Sequence, residues 1–211
     1  GLEDFVVTSP VGKIPTVFLQ NSNGTFKKML SRSFYNHQST EDADIHVFDV
    51  NGDENLDLFI SSGGYQWPQG DTAYENRVYI GNGLGMFGLV NNAILTEDLT
   101  NSGKILAHDI DNDGDTDFLI CGKGYPKKYP YAGHTKIYIN EKGFFTDRTN
   151  VIAPGIERIG IVNDACFSDV DQDGDKDLLL VGEWMDVTFF ENMGGGFIHR
   201  KNNIGMPGWW S

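Results

Sequence analysis

Three short apolar runs recur along the chain: Leu58-Phe59-Ile60, Phe118-Leu119-Ile120 and Leu178-Leu179-Leu180-Val181. They are rich in branched and aromatic side chains and follow polar turn-forming stretches, which predicts buried β-strands. A second set of β-rich runs alternates with them, at Thr16–Leu19, Arg77–Ile80, Lys136–Ile139 and Val187–Phe190. Each of these leads into Asn-x-x-Gly-x-Phe, at Asn21–Phe26, Asn82–Phe87, Asn140–Phe145 and Asn192–Phe197. Asn and Gly at that spacing suit a tight hairpin turn. Each unit then holds two hairpins, and four antiparallel strands make one blade of a β-propeller. The repeat length also fits a blade rather than a helical solenoid unit. The recurring Phe is expected to pack between blades.

The polar stretch ahead of each apolar run carries the candidate chemistry. Residues 169–177 read Asp-Val-Asp-Gln-Asp-Gly-Asp-Lys-Asp, and residues 109–117 read Asp-Ile-Asp-Asn-Asp-Gly-Asp-Thr-Asp. Five carboxylates in nine residues repel one another in a folded loop unless a cation sits among them. Calcium, with six to eight oxygen ligands at flexible geometry, fits positions one, three, five and nine around a bend glycine. The third copy predicts Asp169, Asp171, Asp173 and Asp177 as ligands, plus the carbonyl of Asp175, with Gly174 at the bend. The second predicts Asp109, Asp111, Asp113 and Asp117, plus the carbonyl of Asp115. The first copy, Asp49–Asp57, departs from this. Asn51 holds position three, Glu54 replaces the bend glycine and Asn55 supplies the carbonyl, so Asp49, Asn51, Asp53, Asn55 and Asp57 form the weakest of three expected calcium sites. An EF-hand would need a bidentate Glu at position twelve. Ile60, Ile120 and Leu180 stand there instead. The competing reading is a solvated acidic loop without metal, which a repeated spacing argues against.

With 211 residues the chain can bury a sizeable core, and repetition favours one all-β array. No apolar run is long enough to cross a bilayer as a helix. The formal charge of −14 argues against nucleic acid or an anionic membrane as partner. Much of it is local, since the three Asp loops hold 14 of the 30 acidic residues. Cys121 and Cys166 fall on different predicted strands and read as buried free thiols, a disulfide being the alternative.

Residues 1–7 align with the second half of the third Asp loop and its strand, so the chain is expected to enter partway through a blade. The expected division is a partial blade of strands two to four at 1–30 and blades at 41–100, 101–160 and 161–203. Residues 204–211 then lead into a further blade. An open array of this kind exposes terminal faces and edges. Their cover is expected from a longer chain, from a homodimer closing a ring, or from four short blades closing alone.

The Asp loops and Asn-x-x-Gly-x-Phe turns together resemble the FG-GAP/VCBS repeats of integrin-alpha-like propellers. They resemble especially the secreted bacterial propellers related to cartilage acidic protein, and the similarity covers nearly the whole chain. The resemblance implies a calcium-stabilised, usually seven-bladed propeller used for adhesion or binding. It also implies an extracellular, periplasmic or outer-cell-surface location, and some such propellers are attached to carbohydrate-active enzymes. The weakened first loop and the small blade number depart from the family.

Because strands alternate in direction, the Asp loops and Asn-Gly turns share one end of the blades, and the remaining connections share the other. Two of those connections are long and aromatic, 63–74 and 124–134, whereas the third, near Glu183 and Trp184, is short. Tyr65, Trp67, Tyr125, Tyr129, Tyr131 and Trp184 are the candidate ligand contacts for a protein or carbohydrate, with capping of the blade ends as the alternative role. Trp209 and Trp210 would join this end. No nucleophile elbow or zinc-ligand spacing appears, which favours a binding module with no catalytic residue. A calcium-dependent polysaccharide lyase or hydrolase, or its accessory module, is the second hypothesis.

Overall fold

The computed structural model describes residues 2–90 and 99–200. The strands form four successive antiparallel sheets. The first holds β1 (Phe5–Val7), β2 (Thr16–Gln20) and β3 (Phe26–Met29). The second holds β4 (Glu41–Phe48), β5 (Asp57–Gly63), β6 (Arg77–Gly81) and β7 (Phe87–Val90). The third holds β8 (Ser102–His108), β9 (Asp117–Gly122), β10 (Lys136–Glu141) and β11 (Phe144–Asp147). The fourth holds β12 (Ile161–Ser168), β13 (Asp177–Glu183), β14 (Thr188–Asn192) and β15 (Phe197–Arg200). Within each sheet the strands pair in sequence order. This is the predicted propeller architecture of three full blades and a partial one. The segment 204–211, with Trp209 and Trp210, and residue Gly1 lie outside the described residues.

Strand periodicity explains where the core sits. Side chains along β5, β9 and β13 alternate between two faces; both faces of β5 and β9 pack on neighbouring sheets, and one face of β13 does. Leu58 and Ile60 join Val17 and Phe34 in one cluster. Phe59 joins Phe118 and Ile120 in the next. Leu119 and Cys121 join Leu178, Leu180 and Phe190 in the third. All of these are buried, so the core is a set of seams between sheets, and an unbroken apolar run in sequence is what a strand covered on both faces requires. The recurring Phe follows the same logic only where a neighbour exists. Phe145 and Phe197 are buried in seams, whereas Phe26 is exposed on the outer face of the first sheet, stacked edge-on against Phe5.

Polar hooks cross the seams. Ser61 Oγ donates to the Gly103 carbonyl at 2.6 Å, and Lys123 Nζ donates to Asn163 Oδ1 at 2.9 Å. Both acceptors belong to the first strand of the following sheet, where β4, β8 and β12 each carry a register irregularity at the same place. A bulge there frees backbone and side-chain groups that a regular ladder would consume.

The array ends on two partly uncovered faces. Phe5, Val7 and Phe26 are exposed at one end, and Val181 and Ile198 at the other. Among the described residues no core cluster joins the fourth sheet to the first. The two thiols are free, but only Cys121 is buried. Cys166 is exposed, which corrects the expectation of two buried thiols: on β12 it alternates with Ala165 and Phe167, which belong to the seam cluster, so its own side chain falls on the other face.

Leu119→Ala, within a seam, is expected to cost about 2–5 kcal/mol, whereas Val181→Ala, on the uncovered face, is expected to cost less than about 1 kcal/mol. Urea denaturation of the two variants compares them directly.

Candidate functional site

Each Asp loop joins the first two strands of a full blade, and its backbone turns through two left-handed residues. Position six is the anticipated one: Gly114 has φ +96° and Gly174 φ +101°. Glu54 adopts φ +69° there, a conformation a side chain tolerates poorly. Position four is left-handed as well, at Gly52, Asn112 and Gln172. The first carboxylate organises the turn by accepting backbone N–H groups. Asp49 accepts from Gly52 and Glu54 at 2.8 Å each, Asp109 from Asp113 at 3.1 Å and Gly114 at 3.0 Å, and Asp169 from Gly174 at 3.2 Å.

Position nine has a different task. Asp57, Asp117 and Asp177 are buried, and each uses both oxygens to clip the Asp loop to the end of the third strand. Asp117 accepts Ile110 N–H at 2.7 Å and Asn140 N–H at 2.8 Å. Asp177 accepts Val170 and Asn192 N–H at 2.8 and 2.9 Å, and Asp57 accepts Val50 and Gly81 N–H at 2.9 and 2.7 Å. Burial pushes the Asp117 carboxyl up to about 6; the two amide bonds pull it down, and the charges of Asp111 and Asp113 add to the rise. Burial raises Asp57 in the same way.

Two of the three loops gather carboxylates closely enough to share one cation. Asp109, Asp111 and Asp117 offer oxygens all within 4.8 Å of one another, as do Asp169, Asp171 and Asp177. Oxygens on one calcium ion can stand at most about 5 Å apart, twice the usual Ca–O distance, so both sets fit. The buried Asp169 Oδ1 has no hydrogen-bond partner within the protein, an orphaned acceptor of the kind a cation satisfies. Asp113 and Asp173 stand outside these two sets and accept the backbone N–H of Asp115 and Asp175. In the first loop Asn51 turns its amide N–H toward Asp53 at 3.2 Å, and Asn55 donates its backbone N–H to Asp53 at 2.8 Å.

The second hairpin underpins this end, in a register that the shared motif conceals. Gly81 in β6 takes the place that Asn140 and Asn192 occupy in β10 and β14, since each pairs with the motif Phe. The turns of the first two sheets are therefore one residue longer than those of the last two. In the shorter turns the Asn amide reaches the Asp loop: Asn140 Nδ2 donates to the carbonyls of Thr116 and Val50, and Asn192 Nδ2 to that of Lys176. In the longer turn Asn82 instead closes its own loop by accepting from Leu84 and Met86. The better-formed carboxylate sets coincide with the shorter turns.

The opposite end carries the aromatic candidates. Tyr65, Tyr129, Tyr131 and Trp184 are each more than half exposed. Trp67 and Tyr125 are half-buried and engaged within the protein: Trp67 Nε1 donates to the Ser39 carbonyl, and the Tyr125 hydroxyl bonds His134 Nε2 at 3.0 Å. Tyr129 and Trp184, from different sheets, meet with ring centroids 6.1 Å apart. Glu183, Asn163 and Lys123 lie beside them, residues the sequence reading did not nominate.

Residues 1–60 match the family model described as an FG-GAP-like repeat. The match runs from the first sheet through the first Asp loop and most of β5. Comparison with curated proteins finds no match. Among solved structures this chain is similar to a lectin of Agrocybe aegerita, described as specifically recognising non-reducing terminal N-acetylglucosamine. The identity is 17%, the TM-score 0.52, and the alignment covers 93% of this chain and 51% of the lectin chain, so this chain spans about half that length. The likeness is one of fold.

Loss of the clip should be felt without any metal. In chelator, Asp117→Ala is expected to cost about 3 kcal/mol by orphaning two buried N–H groups, whereas Asp111→Ala, at an exposed position, should stay within about 0.5 kcal/mol of the parent. Denaturant midpoints measured in chelator test this contrast.

Proposed function

We propose that this chain is a calcium-stabilised extracellular binding module, with a glycan as the favoured ligand and a protein surface as the other. The observation that carries the reading is the set of four exposed aromatics, Tyr65, Tyr129, Tyr131 and Trp184, on connections opposite the Asp loops. Large flat side chains fixed on a rigid scaffold lose little entropy when a ligand stacks on them. The lectin likeness is consistent with a sugar, and FG-GAP-like repeats with an extracellular setting. Among the described residues no helix is long and apolar enough to cross a membrane.

Calcium acts structurally in this reading. Asp109, Asp111 and Asp117 hold one ion, Asp169, Asp171 and Asp177 a second, and the Asp49 loop a third and weakest. Each ion neutralises carboxylates that otherwise repel across a turn, so the second hairpin can close against the first. The exposed apolar faces of the first and fourth sheets are covered in the same scheme by further blades, from a longer chain or from a second copy completing a ring. Light scattering of the purified chain tests the second copy: a monomer at micromolar concentration removes it.

With free calcium about a hundredfold above its dissociation constant, each occupied site contributes about 2.7 kcal/mol. For a chain of this size that corresponds to a melting-temperature rise of about 5–10 °C per site. Differential scanning calorimetry should show the rise with calcium and its reversal by chelator; a melting temperature indifferent to both would overturn the calcium assignment. A glycan array probed with the calcium-loaded chain tests the ligand class.

A further inference from the structure

The aromatic end holds one corner that is built rather than merely exposed, at the seam between the third and fourth sheets. Trp184 Nε1 donates to the Tyr129 hydroxyl at 2.8 Å, and that hydroxyl donates to Glu183 Oε2 at 3.0 Å. Glu183 Oε1 receives only a long contact from Asn163 Nδ2, at 3.4 Å, and Asn163 Oδ1 is itself held by Lys123 Nζ at 2.9 Å. The two rings stand at 68° to each other, so they form two walls with a carboxylate at the base. Trp184 remains 64% exposed and Tyr129 57%.

The backbone singles out Trp184 further. Counting from the end of each Asp loop, it occupies the place of Gly64 in the second sheet and Gly124 in the third. Gly64 has φ +95°, and Trp184 takes φ +58°, the only aromatic among the described non-glycine residues with positive φ. A bulky side chain is disfavoured there, and its exposed ring gains little from burial in return. Residues held in such conformations cluster at ligand sites.

We propose that this corner is a binding site for a neutral pyranose. The assignment rests on the reading of this end as the binding face. The apolar C–H face of the sugar lies on Trp184, with Tyr129 as the side wall. Two neighbouring hydroxyls reach the base, one donating to Glu183 Oε1 in place of the long Asn163 contact. A uronic acid is repelled by Glu183. A quaternary ammonium finds only two walls, and the Glu183 charge is already balanced in part by Lys123 through Asn163.

The test is titration calorimetry of the calcium-loaded chain with chitotriose, cellotriose, maltotriose and mannotriose, with a hyaluronan tetrasaccharide and choline as contrasts. At least one neutral sugar is expected to bind saturably. Trp184→Gly and Glu183→Gln are each expected to weaken it about tenfold or more. Trp184→Gly should leave the melting temperature unchanged or raised, because glycine relieves the left-handed backbone. A Trp184 that served only packing would give the reverse pattern, a lower melting temperature with sugar affinity intact, and that result would discard this corner while the glycan-binding reading stood. Binding of the tetrasaccharide or choline alone would overturn the neutral-sugar assignment, and no binding of any glycan would overturn both readings.

Discussion

The position-nine aspartate is the constraint on which the rest of this structure depends. Asp57, Asp117 and Asp177 are buried carboxylates that each accept two backbone N–H groups, one from the loop they close and one from the end of the third strand. A charge in that position is costly to desolvate and strongly hydrogen-bonded. It fixes the two hairpins of a blade relative to each other more firmly than the strand ladder alone would. It also brings further carboxylates close, so the feature that holds the blade together creates the repulsion that a cation would relieve.

This arrangement divides the blade into two ends with different physics. At the Asp end the turns are short, their left-handed positions are set, and almost every loop carboxylate has a backbone partner. At the other end the connections differ in length from blade to blade and carry exposed aromatic side chains. Rigidity at one end permits variation at the other, because the seams between sheets are packed by side chains of β5, β9 and β13 and do not depend on the long connections. Glu183 and Trp184 illustrate the result: Glu183 is the last residue of β13 and Trp184 follows it directly, so a loop-face corner is anchored to a strand.

The seams also explain why the terminal sheets look different from the interior ones. A strand such as β9 is apolar on both faces because it has a sheet on each side. β13 keeps the same apolar composition, yet Val181 is exposed because no further sheet lies against it among the described residues. The identical argument applies to Phe5 and Phe26 at the start of the array. Among the described residues neither joins a core cluster.

The strands, the order of the hairpins, the Asp loops and their bend glycines were legible in the chain, because a two-face apolar run, an Asn-Gly turn and a nine-residue acidic spacing are local signals. The turn register was not: Asn82 and Asn140 sit in the same motif but one step apart in the ladder, and only pairing with the neighbouring strand distinguishes them. Nor did the acidic spacing reveal that position nine is a clip, since its second partner lies on another strand. The sequence alone determined where the chain turns and which runs form strands, through side-chain size, polarity and backbone freedom, whereas the burial of Asp57, Asp117 and Asp177 and the exposure of Cys166 and Phe26 were set by the packing of the sheets. The tertiary structure decided what meets across a seam, including Tyr129 with Trp184 and Glu183, because those residues lie far apart in the chain and are joined only by the packing of one sheet on the next.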